Sequence, residues 1–576
     1  MNGRNIDSGA ALALTIVLSV ATCGSSLAAD GYDLLLVGGR VLDGTGNPWR
    51  YADVGIKDGR IAAVGRLRAA PADRVIDVAG KIVAPGFIDI HSHADGPGGE
   101  RSGLRAADPH KRSAPNLVSQ GITTVVVNQD GGSPLSIAAQ RATLEDLGIG
   151  PNAILLVGHN SIRREVLGAD FRRLATDDEV QRMAAMVRQG IADGAYGLSA
   201  GLEYVPGRWS DTAEVRSLVS TLTETGGVYI VHERASGADP MWYLPSQHEP
   251  GPPTMLDNIV ETIDIAESTG VPTVATHIKV KGADYWGSSG AIINLMRTAR
   301  ARGVEVWLDQ YPYATTGSDG STVLIPPWAL GYDRWGEGGG EERADPDYSA
   351  ALREVLGDDL RRADLVLDIR REIARRGGAE QIFIFEYADP TQVGKSLGQL
   401  ARDREIDTIE AAILLQLEGF PTRPGGARLR GFSLAEVDVE ALSAEPYTLT
   451  ASDAGIAVVE EELPVHARYY GTFPRKIRRY AIELGTLSVA EAVRTSTSLP
   501  AQVLRLSDRG LVRKGMVADL VVFDLDRIRD RATFSEPHQF AEGVEWVLVG
   551  GRAVVEEGRL TGALPGRVIT LADSIF

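Results

Sequence analysis

From residue 86 to residue 450 the chain alternates between two hydrophobic patterns. Short apolar runs lie at 86–90, 123–127, 153–157, 195–199, 228–231, 273–276, 304–308 and 447–450. Runs of this length, flanked by glycine and polar residues, predict buried strands. Between them, at 178–189, 212–224, 255–267 and 289–301, apolar residues recur every three or four positions, the spacing of a helix with one buried face. Strands that alternate with helices pair in parallel, and eight of them predict an α/β fold of the (β/α)8 TIM barrel type. Such barrels carry their chemistry at the C-terminal ends of the strands.

Two regions break this rhythm. Residues 318–446 are too long for a barrel loop. They hold a glycine-rich turn at Gly338–Gly340 and helical patterns at 350–376 and 391–418, and predict a lobe inserted between strands seven and eight, over the site. The two ends of the chain instead read as short strands: 33–37, 39–43, 53–57 and 60–64 near the start, 518–524, 546–552 and 553–556 near the end. Leu-Val-Gly-Gly-Arg occurs at both Leu36 and Leu548, so the termini are expected to share one small β-sandwich. The expected division is 1–29 as an export signal, 30–84 and 506–576 as the sandwich, 85–317 and 447–505 as the barrel, and 318–446 as the lobe.

Composition narrows the picture. Acidic residues outnumber basic ones 77 to 59, for a net charge of −18, which disfavours nucleic acid as a partner. Arg4, an apolar run at 10–21 and small residues at 26–29 have the order of an export signal, implying a periplasmic or secreted protein. The apolar run is too short for a stable membrane span. Cys23, the single cysteine, falls inside that segment, so a processed chain has no disulfide and no thiolate ligand. A homo-oligomer is compatible with the sequence, which sets no oligomeric state.

The candidate chemistry sits where the strands end. His91 and His93 follow strand one and, as alternate residues of an extended segment, face the same way. His159, His232 and His277 follow strands three, five and six, Asp309 follows strand seven, and Asp453 follows strand eight. Imidazoles and carboxylates gathered at one barrel end suit a divalent metal ion. Asp453 in Ser-Asp-Ala-Gly also suits a helix N-cap.

Pro85-Gly-Phe-Ile-Asp-Ile-His-Ser-His-Ala-Asp95, Gly158-His-Asn-Ser-Ile-Arg163, Gly197-Leu-Ser-Ala-Gly-Leu-Glu-Tyr204, Thr276-His-Ile-Lys279, Asp309-Gln-Tyr-Pro-Tyr313, Ala451-Ser-Asp453 and His466-Ala-Arg468 occur in this order. The ordered set resembles the amidohydrolase superfamily and, within it, the N-acyl-D-amino-acid deacylase (D-aminoacylase) family. The resemblance implies a hydrolase with one or two divalent ions, usually zinc. His91 and His93 would hold one ion and His232 and His277 the other, with Asp453 touching the hydrolytic water as general base and acid. It points to Lys279, Arg468 and either Tyr311 or Tyr313 for the free carboxylate of a small amide substrate. Tyr204 and His159 complete the expected substrate-binding set, and His466 is expected to help order the site. For Arg468 a surface ion pair is the competing reading.

The chain departs from the family at the residue that joins the two metals. Many D-aminoacylases place a cysteine after strand two, where this chain has Asp130, and no lysine lies between Lys111 and Lys279 to serve as a carboxylated bridge. Asp130 and Glu203 remain, with Glu203 favoured for its longer reach. Amide hydrolysis of an N-acyl-D-amino acid, or of a dipeptide with a D-residue, is the leading reading. A cyclic amide or an L-dipeptide as substrate, and a non-catalytic barrel scaffold, are the alternatives.

Overall fold

The computed structural model describes residues 31–332, 346–461 and 464–573. The export-signal segment 1–29 and the turn Gly338–Gly340 lie outside the described residues. Among the described residues, no helix is long and apolar enough to cross a membrane.

Eight strands carry the centre: β1 (Phe87–Asp89), β2 (Ile122–Val127), β3 (Asn152–Leu155, resuming at Val157–Gly158), β4 (Gly197–Gly201), β5 (Val228–His232), β6 (Thr273–Ala275), β7 (Val306–Gln310) and β8 (Thr448–Thr450). Each pairs in parallel with the next. All eight are buried along their length, as expected of parallel strands covered on both faces. Just past their ends, Ala454–Gly455 pairs in parallel with Ser92–His93, and the Asp453 amide donates to the His91 carbonyl at 2.9 Å. The ring of strands closes at this point, which brings the first two histidines beside the last aspartate.

The helices predicted between strands form at Asp177–Ala192, Thr212–Ser220, Met255–Thr269 and Ser289–Ala301. Thr176 and Thr254 begin two of them with reciprocal side-chain caps to Glu179 and Asp257, an arrangement that satisfies otherwise orphaned amides.

Both termini enter one nine-stranded sheet. Its junction pairs Leu520–Phe523 with Ile82–Pro85, antiparallel. The two faces of the expected sandwich come from this single sheet, which curls until Ile61 N donates to Met516 O at 2.8 Å. The curl encloses one apolar core that includes Leu36, Val54, Ile61, Val522 and Trp546.

The described residues of 318–446 build a separate apolar cluster around Leu352, Leu365, Ile369, Leu400 and Leu415. The helical stretch expected at 350–376 is two helices, Tyr348–Leu356 and Asp359–Ala374. The break comes at Gly357-Asp358, where the Asp358 carboxylate accepts from the amides of Leu360 and Arg361 and starts a new helix. The stretch expected at 391–418 splits likewise into Leu397–Asp403 and Thr408–Glu418, the second capped by Asp407. An antiparallel pair, Ile382–Glu386 with Arg428–Gly431, is absent from the sequence reading.

Candidate metal centre

The exits of β1, β2, β5, β6 and β8 converge on one point. His91 Nε2 lies 3.6 Å from Asp130 Oδ1 and 3.7 Å from Asp453 Oδ1. His93 Nε2 lies 3.5 Å from Asp130 Oδ2 and 3.1 Å from Asp453 Oδ1. From the other side, His232 Nδ1 and His277 Nε2 approach Asp130 Oδ1 to 3.6 and 3.4 Å. Asp130 therefore stands among all four imidazoles, one carboxylate oxygen facing three of them and the other facing the fourth.

The backbone is held out of its comfortable range to achieve this. Asp130, His277 and Asp453 have φ of 55°, 36° and 50°, the left-handed region that costs non-glycine residues energy and collects at functional sites. Gly131 follows Asp130 at φ 75°, pressed so close that a Cβ there would sit 2.1 Å from Asn160 Oδ1. A glycine is needed there.

Neighbouring groups aim the ligands. His91 Nδ1 lies 2.5 Å from Thr276 Oγ1, and Thr276 donates onward to Asp309. His91 must then donate from Nδ1, which leaves the lone pair of Nε2 facing the carboxylates. Glu203 Oε2 accepts from His232 Nε2 at 2.9 Å, and its other oxygen accepts from the Met241 amide. This corrects the preference for Glu203 as the joining carboxylate. Its extra methylene takes it behind the His232 ring, where it orients that ring, and the shorter Asp130 reaches the centre. Asp309 likewise supports Thr276 and the His277 amide and does not face the cluster. Asp95 pairs with Arg105 and Gln140 away from it.

The electrostatics are those of a site short of positive charge. Burial opposes charge on His93 and His232, but Asp130 with Asp453, and Asp130 with Glu203, outweigh it and lift these imidazoles to about 10 and about 9. Burial and neighbouring cations hold His277 down at about 4. Burial raises Asp453, yet Arg468 and the histidines around it leave it well below the usual carboxylate range.

The cluster opens into a cavity of about 300 Å³ whose wall includes Tyr204, Lys279, Lys281, Tyr311, Ser318 and Arg468. Arg468 is buried, with a 2.6 Å ion pair from Nη1 to Asp453 Oδ2, so it is no surface pair. Asp453 caps no helix. Its neighbour Tyr311 lies beneath the Arg468 guanidinium at 4.7 Å and near Lys279 Nζ at 5.5 Å. Tyr204 packs its ring 4.2 Å from His232. Two expected substrate contacts fall away from the cavity. Tyr311 and Tyr313 share one apolar cluster, but only Tyr311 lines the cavity, and Tyr313 packs under Arg475 at 4.8 Å. His159 is buried against Glu214 at 2.8 Å, where it steadies the helix that follows β3. His466 holds the Arg468 amide at 3.0 Å, an ordering contact. Lys281, Ser236, Met241 and Ser318 line the cavity without having been singled out from sequence. For Lys281 the available signal was its i+2 spacing from Lys279 in an extended segment.

The donor set fits a divalent cation on its own terms. Asp130 Oδ1 is buried with no hydrogen-bond partner among the described residues, although three imidazole nitrogens surround it. His91, His93 and Asp453 form one group of donor atoms and His91, Asp130 and His277 another, each group within 4.8 Å of one another.

Comparison with known proteins agrees. The amidohydrolase family matches residues 74–230 and 439–555. D-aminoacylase of Alcaligenes xylosoxydans xylosoxydans is 32% identical over 93% of this chain and 97% of its own length. The chain belongs to the amidohydrolase family. N-acyl-D-glutamate deacylase of the same organism, also 32% identical, is covered to 97%. The solved N-acyl-D-glutamate deacylase of Bordetella bronchiseptica, in complex with zinc and a phosphonate inhibitor, superposes with a TM-score of 0.69 at 29% identity, over 94% of this chain and 100% of that one. Within the amidohydrolase family, this chain therefore sits among the N-acyl-D-amino-acid deacylases.

Proposed function

We propose that this amidohydrolase cleaves the amide of N-acyl-D-amino acids in a metal-dependent reaction, with Asp453 moving the proton. The observation that carries the reading is the partnerless Asp130 Oδ1 amid three imidazole nitrogens, next to a cavity lined by buried cations. His91, His93 and Asp453 would hold one ion and His232 and His277 a second, with Asp130 between them. Zinc is the expected metal, as in the Bordetella relative. A divalent ion bound there supplies a water whose pKa falls toward neutrality and a Lewis acid for the scissile carbonyl.

The chain's own residues supply the rest. Asp453 is ionised at neutral pH, so it can accept the proton of the attacking water and return it to the leaving amine nitrogen. Arg468 Nε and the Tyr311 hydroxyl are buried and have no hydrogen-bond partner among the described residues. Together with Lys279 they offer a free α-carboxylate charge-assisted hydrogen bonds. Such a carboxylate would draw Arg468 away from Asp453 and raise the basicity of Asp453 only when substrate is present. The Tyr204 ring fixes the attitude of His232. The order of charge, apolar run and small residues at 1–29 supports export to the periplasm or medium, to be checked by the N-terminus of the secreted product.

The test is hydrolysis of paired N-acetyl-D- and N-acetyl-L-amino acids by metal-loaded and chelator-stripped protein. Turnover of D-forms that disappears with the metal and returns with zinc is expected. Turnover of L-forms alone, or turnover indifferent to metal, overturns the proposal.

A further inference from the structure

The cavity has two positive poles. Arg468 and Lys279 share the Tyr311 ring, and the charges that act on Lys279 are Asp453, Arg468, Glu233 and Asp130. Lys281 stands in different surroundings. The charges that act on it include Arg375, Asp319, Glu203, Arg376 and Glu372. It is 6% exposed, and its segment is pinned by its own amide, which donates to Ser236 O at 2.8 Å. Its ammonium donates to Ser318 Oγ at 3.0 Å and forms no ion pair among the described residues.

The carboxylates that act on Lys281 at a distance are engaged mainly with other groups and none pairs with it directly. Asp319 Oδ2 accepts from the Thr316 and Ser433 amides and the Ser433 hydroxyl, while its Oδ1 faces Arg376 at 3.6 Å and has no hydrogen-bond partner among the described residues. Glu203 is satisfied by His232 and Met241. A buried ammonium with one hydroxyl for a partner is costly unless something else completes its shell. Burial, with Arg375 adding to it, brings Lys281 down to about 8, which marks the missing counter-charge. The Lys281 side chain faces the same cavity as the metal-site residues.

We propose that Lys281 makes this cavity selective for N-acyl-D-amino acids with an acidic side chain, whose terminal carboxylate pairs with Lys281 Nζ while the α-carboxylate occupies Lys279, Tyr311 and Arg468. This rests on the deacylase reading above and narrows its substrate class. A neutral side chain would leave the ammonium buried and unpaired, the situation in which polar sites discriminate most strongly.

The experiment compares kcat/KM for N-acetyl-D-glutamate, N-acetyl-D-aspartate, N-acetyl-D-glutamine and N-acetyl-D-leucine, on zinc-loaded wild type, Lys281→Met and Lys281→Arg. Wild type is expected to favour the better acidic substrate over D-glutamine by about 100-fold, on the scale of a buried charge pair. Lys281→Met is expected to lose about that factor on the acidic substrate while D-glutamine changes less than about threefold, and Lys281→Arg to keep most of the preference. Wild-type turnover of D-glutamine equal to that of the better acidic substrate overturns the inference, as does a Lys281→Met variant that loses both alike. The wild-type ratio decides even if a variant does not fold. Hydrolysis of D-leucine without acidic preference removes this inference alone; no hydrolysis of any D-substrate removes the deacylase reading with it.

Discussion

The barrel mouth concentrates violations of local preference that the inserted lobe carries only singly. In the described residues of the lobe the helix ends agree with the fold, although Glu405 sits at φ 54° and Tyr387 and Arg430 bury atoms without hydrogen-bond partners. Asp407 and Ser396 cap their helices and are capped in return, Gly357-Asp358 ends one helix and starts the next, and the apolar residues close into one core. At the mouth, Asp130, His277 and Asp453 sit at positive φ, two aspartates face each other's histidines, and Asp130 Oδ1 and Arg468 Nε lack partners. A folded chain violates its local rules where function requires it. The contrast thus divides residues that hold the molecule together from residues that the fold holds in place, and predicts that substitutions in the two regions fail differently.

The largest effect is expected at Asp453→Asn. Asparagine tolerates the left-handed backbone and keeps the shape, so the variant should fold and retain metal on the histidines. Without a proton acceptor, kcat should fall about a thousandfold, within the usual range for a lost general base. Steady-state kinetics beside metal analysis checks this. A kcat within about tenfold of wild type would take the proton-transfer role from Asp453. Next comes Leu415→Ala in the lobe core, where the side chain is fully buried. A loss of about 2–5 kcal/mol is expected, cavity included, read as a lower urea midpoint, with kcat/KM of the folded fraction nearly unchanged. A kinetic defect with no stability defect there would erase the contrast between the regions.

The same contrast explains what was readable in advance. The strands, the four interleaved helices and the histidines at strand ends follow from hydrophobic period and position, because each barrel strand is a local pattern whose neighbour is the next in sequence. The lobe was legible only as helical. Ile382–Glu386 finds its partner across more than forty residues, in an Arg-Leu-Arg-Gly segment that carries no strand signal. The single curled sheet was legible as a joining of termini, through the repeated Leu-Val-Gly-Gly-Arg, but not as a continuous sheet. Within the site, residue type announced the ligands but not their aim. His159 and Tyr313 bear the right groups after the right strands but engage Glu214 and Arg475 and do not line the cavity. Lys281 carries an ordinary lysine signal, and only its burial sets it apart.

The smallest effect is also the one that separates reach from role most sharply. If length decided which carboxylate joins the metals, Glu203 would be that group, and Glu203→Gln would empty the site as completely as Asp130→Asn. The geometry gives another order. Glu203 acts on the far nitrogen of His232, so Glu203→Gln keeps one acceptor for that ring and loses the charge that favours the proton on Nε2. Supporting contacts of this kind are worth about 10- to 100-fold in metal affinity. Asp130→Asn removes a carboxylate that faces four imidazoles, and its loss should exceed that of Glu203→Gln, with asparagine sparing the backbone at φ 55°. Zinc titration of the two variants by competition with a chelator measures the ranking. The reverse ranking would return the joining role to Glu203 and reduce Asp130-Gly131 to a turn.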